Sequence, residues 1–266
     1  LPNTFYLLQD AMDDPNSDFV QIGKIISVDP ALTLRLLKMV NSAFYGYRNQ
    51  IETVTHALGV VGTEQLMQLV LATSVVGQFK GIPKDMINME YFWRHSVACG
   101  LVARTINEIN SDSDGEKYFV AGLLHDIGRL VMCLKIPDQF RIAMDFASKS
   151  GDRWYKAEAK YFGFNHAGVG GALLRAWNLP KRLQESVAHH HNPSAAKNYS
   201  HEATVICLAD YISHEFTESP DEFTRGEIDP LLWKKLNLKE STHKSMIKEK
   251  VYFQLEEVSQ VFLQTS

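Results

Sequence analysis

The sequence predicts an all-α fold. Apolar residues recur at helical spacing along almost the whole chain, and few windows alternate with the period of two that strands need. From Asp29, DPALTLRLLKMVNSAF sets an aspartate cap ahead of Pro30 at the first helical position and brings Leu32, Leu36, Met39 and Val40 to one face. Asn41 and Ser42 close that helix as capping residues. Gly62 and Thr63 reset the chain, and TEQLMQLVLATSVVGQF runs on as a second helix, capped by Thr63, with Leu66, Leu69, Val70 and Thr73 facing inward. KGIPKD reads as a loop. Beyond it, MEYFWRHSVACGLVARTINEI is one long amphipathic helix, SDSDG is a break, and EKYFVAGLLHDIGRLVMCLKI is a further helix that ends at Pro137. More helices are expected at about 138–149, 152–161, 165–177, 180–190 and 202–216.

At roughly 150 residues per domain, 266 residues make one to two domains. The KGIPKD loop ends an N-terminal helical lobe at 1–82. The polar run HEFTESPDEFTRGEIDP ends a histidine-bearing lobe at 83–216 and leaves a short C-terminal helical extension at 217–266. Gly, Ser and Pro are too sparse in either segment for a flexible linker, so packed subdomains are expected. With 45% hydrophobic and 22% charged residues, the composition excludes a disordered, collagenous or coiled-coil chain.

The 27 Lys+Arg against 31 Asp+Glu leave a net charge of -4, so there is no global basic field to hold nucleic acid or an anionic membrane surface. A helix-turn-helix across ALGVVGTEQL fails as well, because TEQLMQLVLATSVV carries no Lys or Arg to meet a phosphate backbone. The apolar stretch Leu66 to Val76 is interrupted by Gln68, Thr73 and Ser74 and falls short of the ~20 residues a membrane helix needs. No nucleic-acid partner and no membrane are therefore expected. Cys99, Cys133 and Cys207 lie in apolar segments without CxxC spacing and read as reduced core thiols, which points to the cytoplasm. LPNTFYLL lacks the basic region of a signal peptide, and a start at Leu leads us to expect an excised or processed piece.

The ten histidines are the oddity of this composition. Five of them, with two aspartates, form a set on otherwise apolar helices: His95, the pair His125-Asp126, His166, the pair His190-His191, and Asp210. His125 and Asp126 follow the apolar run FVAGLL, deep in a predicted helix, where neighbours about 100° apart can both face one pocket. An unpaired Asp buried there is costly without a cation or a hydrogen-bonding partner. His95 follows Phe92 and Trp93, and Asp210 follows the apolar VICLA. Imidazole mixed with carboxylate suits Fe, Mn, Zn or Ni, and a carboxylate can bridge two ions, so one or two divalent ions are the expected cofactor. His56, His201, His214 and His243 read as surface or capping residues. GVGG at Gly168 to Gly171 reads as close helix packing rather than a phosphate loop, and no serine or cysteine nucleophile motif is present.

GLLHDIGRL is similar to the His-Asp doublet of the HD superfamily of metal-dependent phosphohydrolases, and the order His95, His125-Asp126, Asp210 resembles that superfamily's H…HD…D pattern. More closely, the chain resembles the HDOD family, the HD-related output domain of bacterial signal transduction. IISVDPALTLRLLKMVNSAFYG, HALGVVG, AGLLHDIG, FGFNHAGVGGALLRAWNLP and VAHHHNP carry this resemblance, over roughly residues 1 to 215. It implies an N-terminal helical lobe plus an HD-like lobe, working as a bacterial regulatory module through protein partners. It also implies that His95, His125, Asp126 and Asp210 hold one ion. His166, His190 and His191 are similar to the extra ligands of the HD-GYP phosphodiesterases, with Asp126 bridging to a second ion. The choice of His190 and His191 over His189 rests on that resemblance.

HD-GYP enzymes carry Gly-Tyr-Pro soon after the His pair, whereas here Asn192-Pro193 follows, which weakens the expectation of cyclic di-GMP hydrolysis. Arg129 stands where those enzymes usually carry Lys. Two functions therefore compete. One is a non-enzymatic signalling output module with a metal-binding core. The other is a working metal-dependent phosphohydrolase on a nucleotide or other phosphoester, with Asp126 and Arg129 as catalytic residues and two ions about 3.5–4 Å apart activating water. Arg129 would clamp the phosphoester ligand bidentately.

Overall fold

The computed structural model describes residues 1–79, 81–110, 114–217 and 228–263. Most of the SDSDG break, most of the polar run after Ile212 and Lys80 of KGIPKD lie outside those residues. Every regular element among the described residues is helical, so the fold is all-α as the periodicity predicts. The chain divides into two compact units, residues 1–80 with 253–266, and residues 81–252.

The first unit contains α1 (Asn3–Asp13), α2 (Phe19–Ser27), α3 (Pro30–Val40), α4 (Val54–Val61) and α5 (Thr63–Val76). A capping box starts α2: the Asp18 side chain accepts from the Gln21 amide, and the Gln21 side chain accepts from the Asp18 amide. Asp29 caps α3 with Pro30 in its first turn, and Leu32, Leu36, Met39 and Val40 are all buried. Asn41 closes α3. Its side-chain amide donates to the Leu37 and Ile51 carbonyls at 2.8 Å and accepts from the Ile51 amide at 2.7 Å, which fixes the chain leading to α4. At the start of α5 the expected Thr63 cap is not observed. Gly62 holds that position at φ 96, a conformation open to glycine, and offers no side-chain cap. Nearly all of α5 beyond Leu69 is buried, so it is the central helix of its unit.

The second unit contains α6 (Met89–Asn110), α7 (Gly115–Leu124), α8 (Ile127–Lys135), α9 (Pro137–Ser150), α10 (Trp154–Phe162), α11 (His166–Ala176), α12 (Lys181–Ala188), α13 (Ser200–Ser213) and α14 (Pro230–Lys235). The long α15 (Glu240–Leu263) begins in this unit, and from Phe253 its residues belong to the other. No helix among the described residues is long and apolar enough to cross a membrane. All three cysteines are buried and free.

Close backbone approach sets the architecture around α6 and α8. A Cβ on Gly122 of α7 would lie 2.7 Å from the Gly100 Cα of α6, so these helices cross almost backbone on backbone. A Cβ on Gly128 of α8 would lie 1.9 Å from the His166 carbonyl oxygen at the start of α11. The GVGG segment packs in the same way against α12, where a Cβ on Gly171 would lie 2.5 Å from the Ala188 Cβ. These contacts set the ends of α7, α8, α11 and α12 around one point.

The helix expected to run unbroken from Glu116 to Ile136 is two helices. α7 stops at Leu124, His125 and Asp126 form a turn, and α8 starts at Ile127. The physical reason is local competition. His125 Nδ1 takes the Gly122 carbonyl at 2.7 Å, and the Asp126 carbonyl accepts the Arg129 amide at 2.9 Å, so both helix ends are satisfied without a continuous ladder. His190 and His191 likewise lie past the end of α12, whose C-cap is His189.

Candidate metal centre

The turn between α7 and α8 sends His125 and Asp126 to a point that other helix ends also reach. Around it, His95 of α6 is 4% exposed, His125 0%, Asp126 4%, His166 1% and His190 0%. The donor atoms fall into two adjoining groups. One holds His95, His125 and Asp210, the other Asp126, His166, His190 and His191, and within each group the atoms lie within 4.8 Å of one another. All seven residues singled out in the sequence are thus brought together.

Four of the five imidazoles share one orientation. Nδ1 of His125 lies 2.7 Å from the Gly122 carbonyl, and Nδ1 of His190 lies 2.7 Å from the Val187 carbonyl. Nδ1 of His166 lies 2.6 Å from Glu158 Oε2. Nδ1 of His95 lies 3.3 Å from Ser213 Oγ, which also reaches the Asp210 carbonyl at 2.7 Å. Because carbonyls and a carboxylate accept, Nδ1 of His125, His190 and His166 carries a proton, and in all four rings Nε2 turns inward. His95 Nε2 lies 3.2 Å from Asp210 Oδ1, and His125 Nε2 lies 3.5 Å from Asp210 and 3.6 Å from Asp126. His190 Nε2 is 3.9 Å from Asp126 Oδ1, and the Nε2 atoms of His125 and His190 are buried without a hydrogen-bond partner.

Electrostatics separates the members. Burial pushes His190 down to about 3, helped by the neighbouring His125 and His166. Burial and His214 also lower His95, and burial with His190 and His166 lowers His191. These three imidazoles are neutral. Burial opposes charge on His166 too, but Glu158 and Asp126 outweigh it and raise that imidazole to about 9. His125 also rises, because Cys99, Asp126 and Asp210 overcome its burial. Burial works against both carboxylates, yet Arg129 with His125 and His166 holds Asp126 well below the ordinary range, and His125, His214 and His95 do the same for Asp210.

A neutral His190, its Nδ1 bonded to the Val187 carbonyl, therefore turns an Nε2 lone pair into a buried space facing Asp126 Oδ1 at 3.9 Å. Lone pair against carboxylate is repulsive unless a cation sits between them. Inward Nε2 atoms with Nδ1 held from behind are the arrangement that metal-ligating histidines adopt, and the N/O donor set suits a divalent transition ion. The residues fit one or two ions.

Two neighbours escaped the sequence reading. Glu158 of α10 is 1% exposed and accepts from both Nδ1 and the backbone amide of His166. Its signal was an acid on the apolar stripe Trp154, Glu158, Phe162. His214 is not a surface or capping residue: its ring stacks on His95 with centroids 4.5 Å apart, and its Nε2 lies 3.4 Å from Asp210 Oδ1. The i,i+4 spacing from Asp210 was its signal. Arg129 pairs with Asp126 Oδ2 at 2.9 Å and lies over the Trp154 ring at 4.8 Å.

A family model for the HDOD domain matches residues 1–193. The chain belongs to the HDOD family. Within this HDOD chain, the matched span includes His95 through His191, while Asp210 and His214 lie beyond it. An uncharacterized protein of Treponema pallidum is 26% identical over 212 residues, which are 79% of this chain and 40% of that protein. An HDOD domain protein of unknown function from Geobacter sulfurreducens superposes with a TM-score of 0.78 at 20% identity, over 100% of this chain and 92% of that one. A Shewanella amazonensis SB2B protein, provisionally assigned as a phosphohydrolase, gives the same TM-score and identity over 98% and 94%. At these identities the solved structures share the HDOD fold.

Proposed function

We propose that this HDOD chain is a regulatory output module of bacterial signal transduction whose buried core binds one or two divalent transition ions. Family membership supports the regulatory role. The observation that carries the metal is the common orientation of His95, His125, His166 and His190, each with Nδ1 engaged from behind and Nε2 turned toward Asp126 or Asp210. In this reading His95, His125 and Asp210 hold one ion and His166, His190 and His191 the other, with Asp126 between them. Arg129 is a positioning residue that fixes the Asp126 carboxylate. Glu158 orients His166. Protein partners read the module through its helical surfaces.

A second function is favoured by the partial exposure of one side of the centre: Asp210 is 15% exposed and His214 26%, whereas His125 and His190 are closed off. A phosphoester reaching that side would make the chain a metal-dependent phosphohydrolase, the activity provisionally assigned to the Shewanella amazonensis protein. When bound, divalent ions supply Lewis acidity toward a phosphoryl oxygen. His214 and Asp210 would face the substrate, and Asp126 would keep the histidines in place.

Elemental analysis of the purified chain, with turnover of bis-p-nitrophenyl phosphate in added Mn or Fe, tests both functions. Bound metal without turnover supports the module. Turnover lost in Asp126→Ala replaces it with the hydrolase, and absence of metal in a folded protein rejects both.

A further inference from the structure

We propose that the N-terminal unit carries a binding site for a small zwitterion, an α-amino acid, in a cleft formed by the starts of α1 and α3 and the end of α5. The cleft encloses about 200 Å³, room for several waters at about 30 Å³ each and for a small amino acid in their place. Thr4, Asp29, Arg35, Ser74 and Gln78 line it.

Two polar groups on this cleft are buried and unpaired. Arg35 Nε is buried with no hydrogen-bond partner, and Ser74 is only 6% exposed. The side chains of Thr4, Arg35, Ser74 and Gln78 make no hydrogen bond or ion pair with other described residues. Buried polar groups in folded proteins are ordinarily paired, so the buried Arg35 Nε and the hydroxyl of buried Ser74, both without partners on one cleft, mark a place where a ligand supplies them.

Charge then selects the ligand. Asp29 shares the cleft with Arg35, yet the two do not pair within 4.0 Å. Asp29 Oδ1 accepts the Leu32 amide at 3.0 Å as the cap of α3, which leaves Oδ2 uncommitted. The helix ends reinforce this polarity. Pro2 gives α1 no side-chain cap, so its first amides present positive partial charge, while Ser74 lies in the last turn of α5, where carbonyls present negative partial charge. A carboxylate would seat on the Arg35 fork and the α1 amides, and an ammonium on Asp29 and the α5 carbonyls. Asp29 repels a simple anion and Arg35 a simple cation, so the cleft suits a ligand carrying both charges.

Calorimetric titration of the whole chain with each standard L-α-amino acid, and with acetate and methylammonium as half-ligands, tests this site. At least one amino acid is expected to bind one per chain, and neither half-ligand at the same concentration. Arg35→Gln should weaken binding at least about tenfold, the loss expected from one charge-assisted contact, with part restored by Arg35→Lys. Asp29→Asn keeps the α3 cap, because asparagine caps as well as aspartate, and should weaken the amino acid while admitting acetate. Three results would overturn the proposal: no amino acid bound by a chain whose circular dichroism shows it folded, binding unchanged in Arg35→Gln, or acetate binding as tightly as any amino acid.

Discussion

Glu158 Oε2 lies 2.6 Å from His166 Nδ1 and 2.8 Å from the His166 backbone nitrogen. One carboxylate oxygen thus fixes both the ring and the start of α11. Replacing it by the neutral amide of Glu158→Gln removes the anion that makes His166 a strong donor. Metal affinity at the His166 group should fall about 10–100-fold, the usual cost of losing a supporting carboxylate. Competition with a chromophoric chelator measures it, and unchanged affinity would show that Glu158 serves only the helix.

Proton release should accompany metal binding. With His166 raised to about 9, its Nε2 is protonated at neutral pH and must lose that proton before it can ligate. Apparent affinity should therefore climb with pH and level off near 9. Calorimetry in two buffers of different ionisation enthalpy counts the protons, and a count of zero near neutrality contradicts the assignment.

The metal-free protein should be most stable near pH 6.5. His166 is raised to about 9 from 6.5, so its contribution is complete below 6.5 and is lost as pH rises through 9. His190 is depressed to about 3, so its contribution is complete above 6.5 and is lost as pH falls toward 3. Thermal unfolding across pH in a chelator should trace a dome, and added metal should remove its alkaline limb. A flat profile would mean that neither imidazole is held as described.

Arg129→Ala removes the permanent cation at Asp126 Oδ2 and leaves the buried carboxylate to His166, whose Nε2 lies 2.9 Å from Oδ1. Breaking such a pair costs about 3–5 kcal/mol when fully buried, and Arg129 is partly exposed, so a loss at or below the lower figure is expected. Metal should offset part of it. Urea unfolding with and without Mn reads the difference, and equal losses would place the effect in the Trp154 contact instead.

Gly122→Ala tests the crossing of α6 and α7. The added methyl would stand 2.7 Å from the Gly100 backbone, a clash that no side-chain rotamer relieves. Overpacking of this kind costs about 1–3 kcal/mol or more. Because His125 lies three residues on, metal affinity should fall with the melting temperature, and a variant of full stability and affinity would show that the helices can part without moving the site.

The all-α class was legible because burial follows the 3.6 period in helices such as α3, where Leu32, Leu36, Met39 and Val40 face inward together. The family was legible from contiguous strings. The break at His125 was not, since every residue of FVAGLLHDIGRLVMCL tolerates a helix and what ends α7 is a ring bonding back to Gly122. Glu158 and His214 were hidden for a related reason: each is recognised by the ring it touches, and the local signals, an acid on an apolar stripe and an i,i+4 spacing from Asp210, do not say which ring that is.

His95 and Asp210 meet across 115 residues of chain. An ion held between them would close a loop of that length, and its neighbour would close shorter loops through His166 and His190. Crosslinks of this kind act on the unfolded chain by denying it conformations. Such ions would work as removable rivets, and the release of one and the opening of the second unit would become a single event.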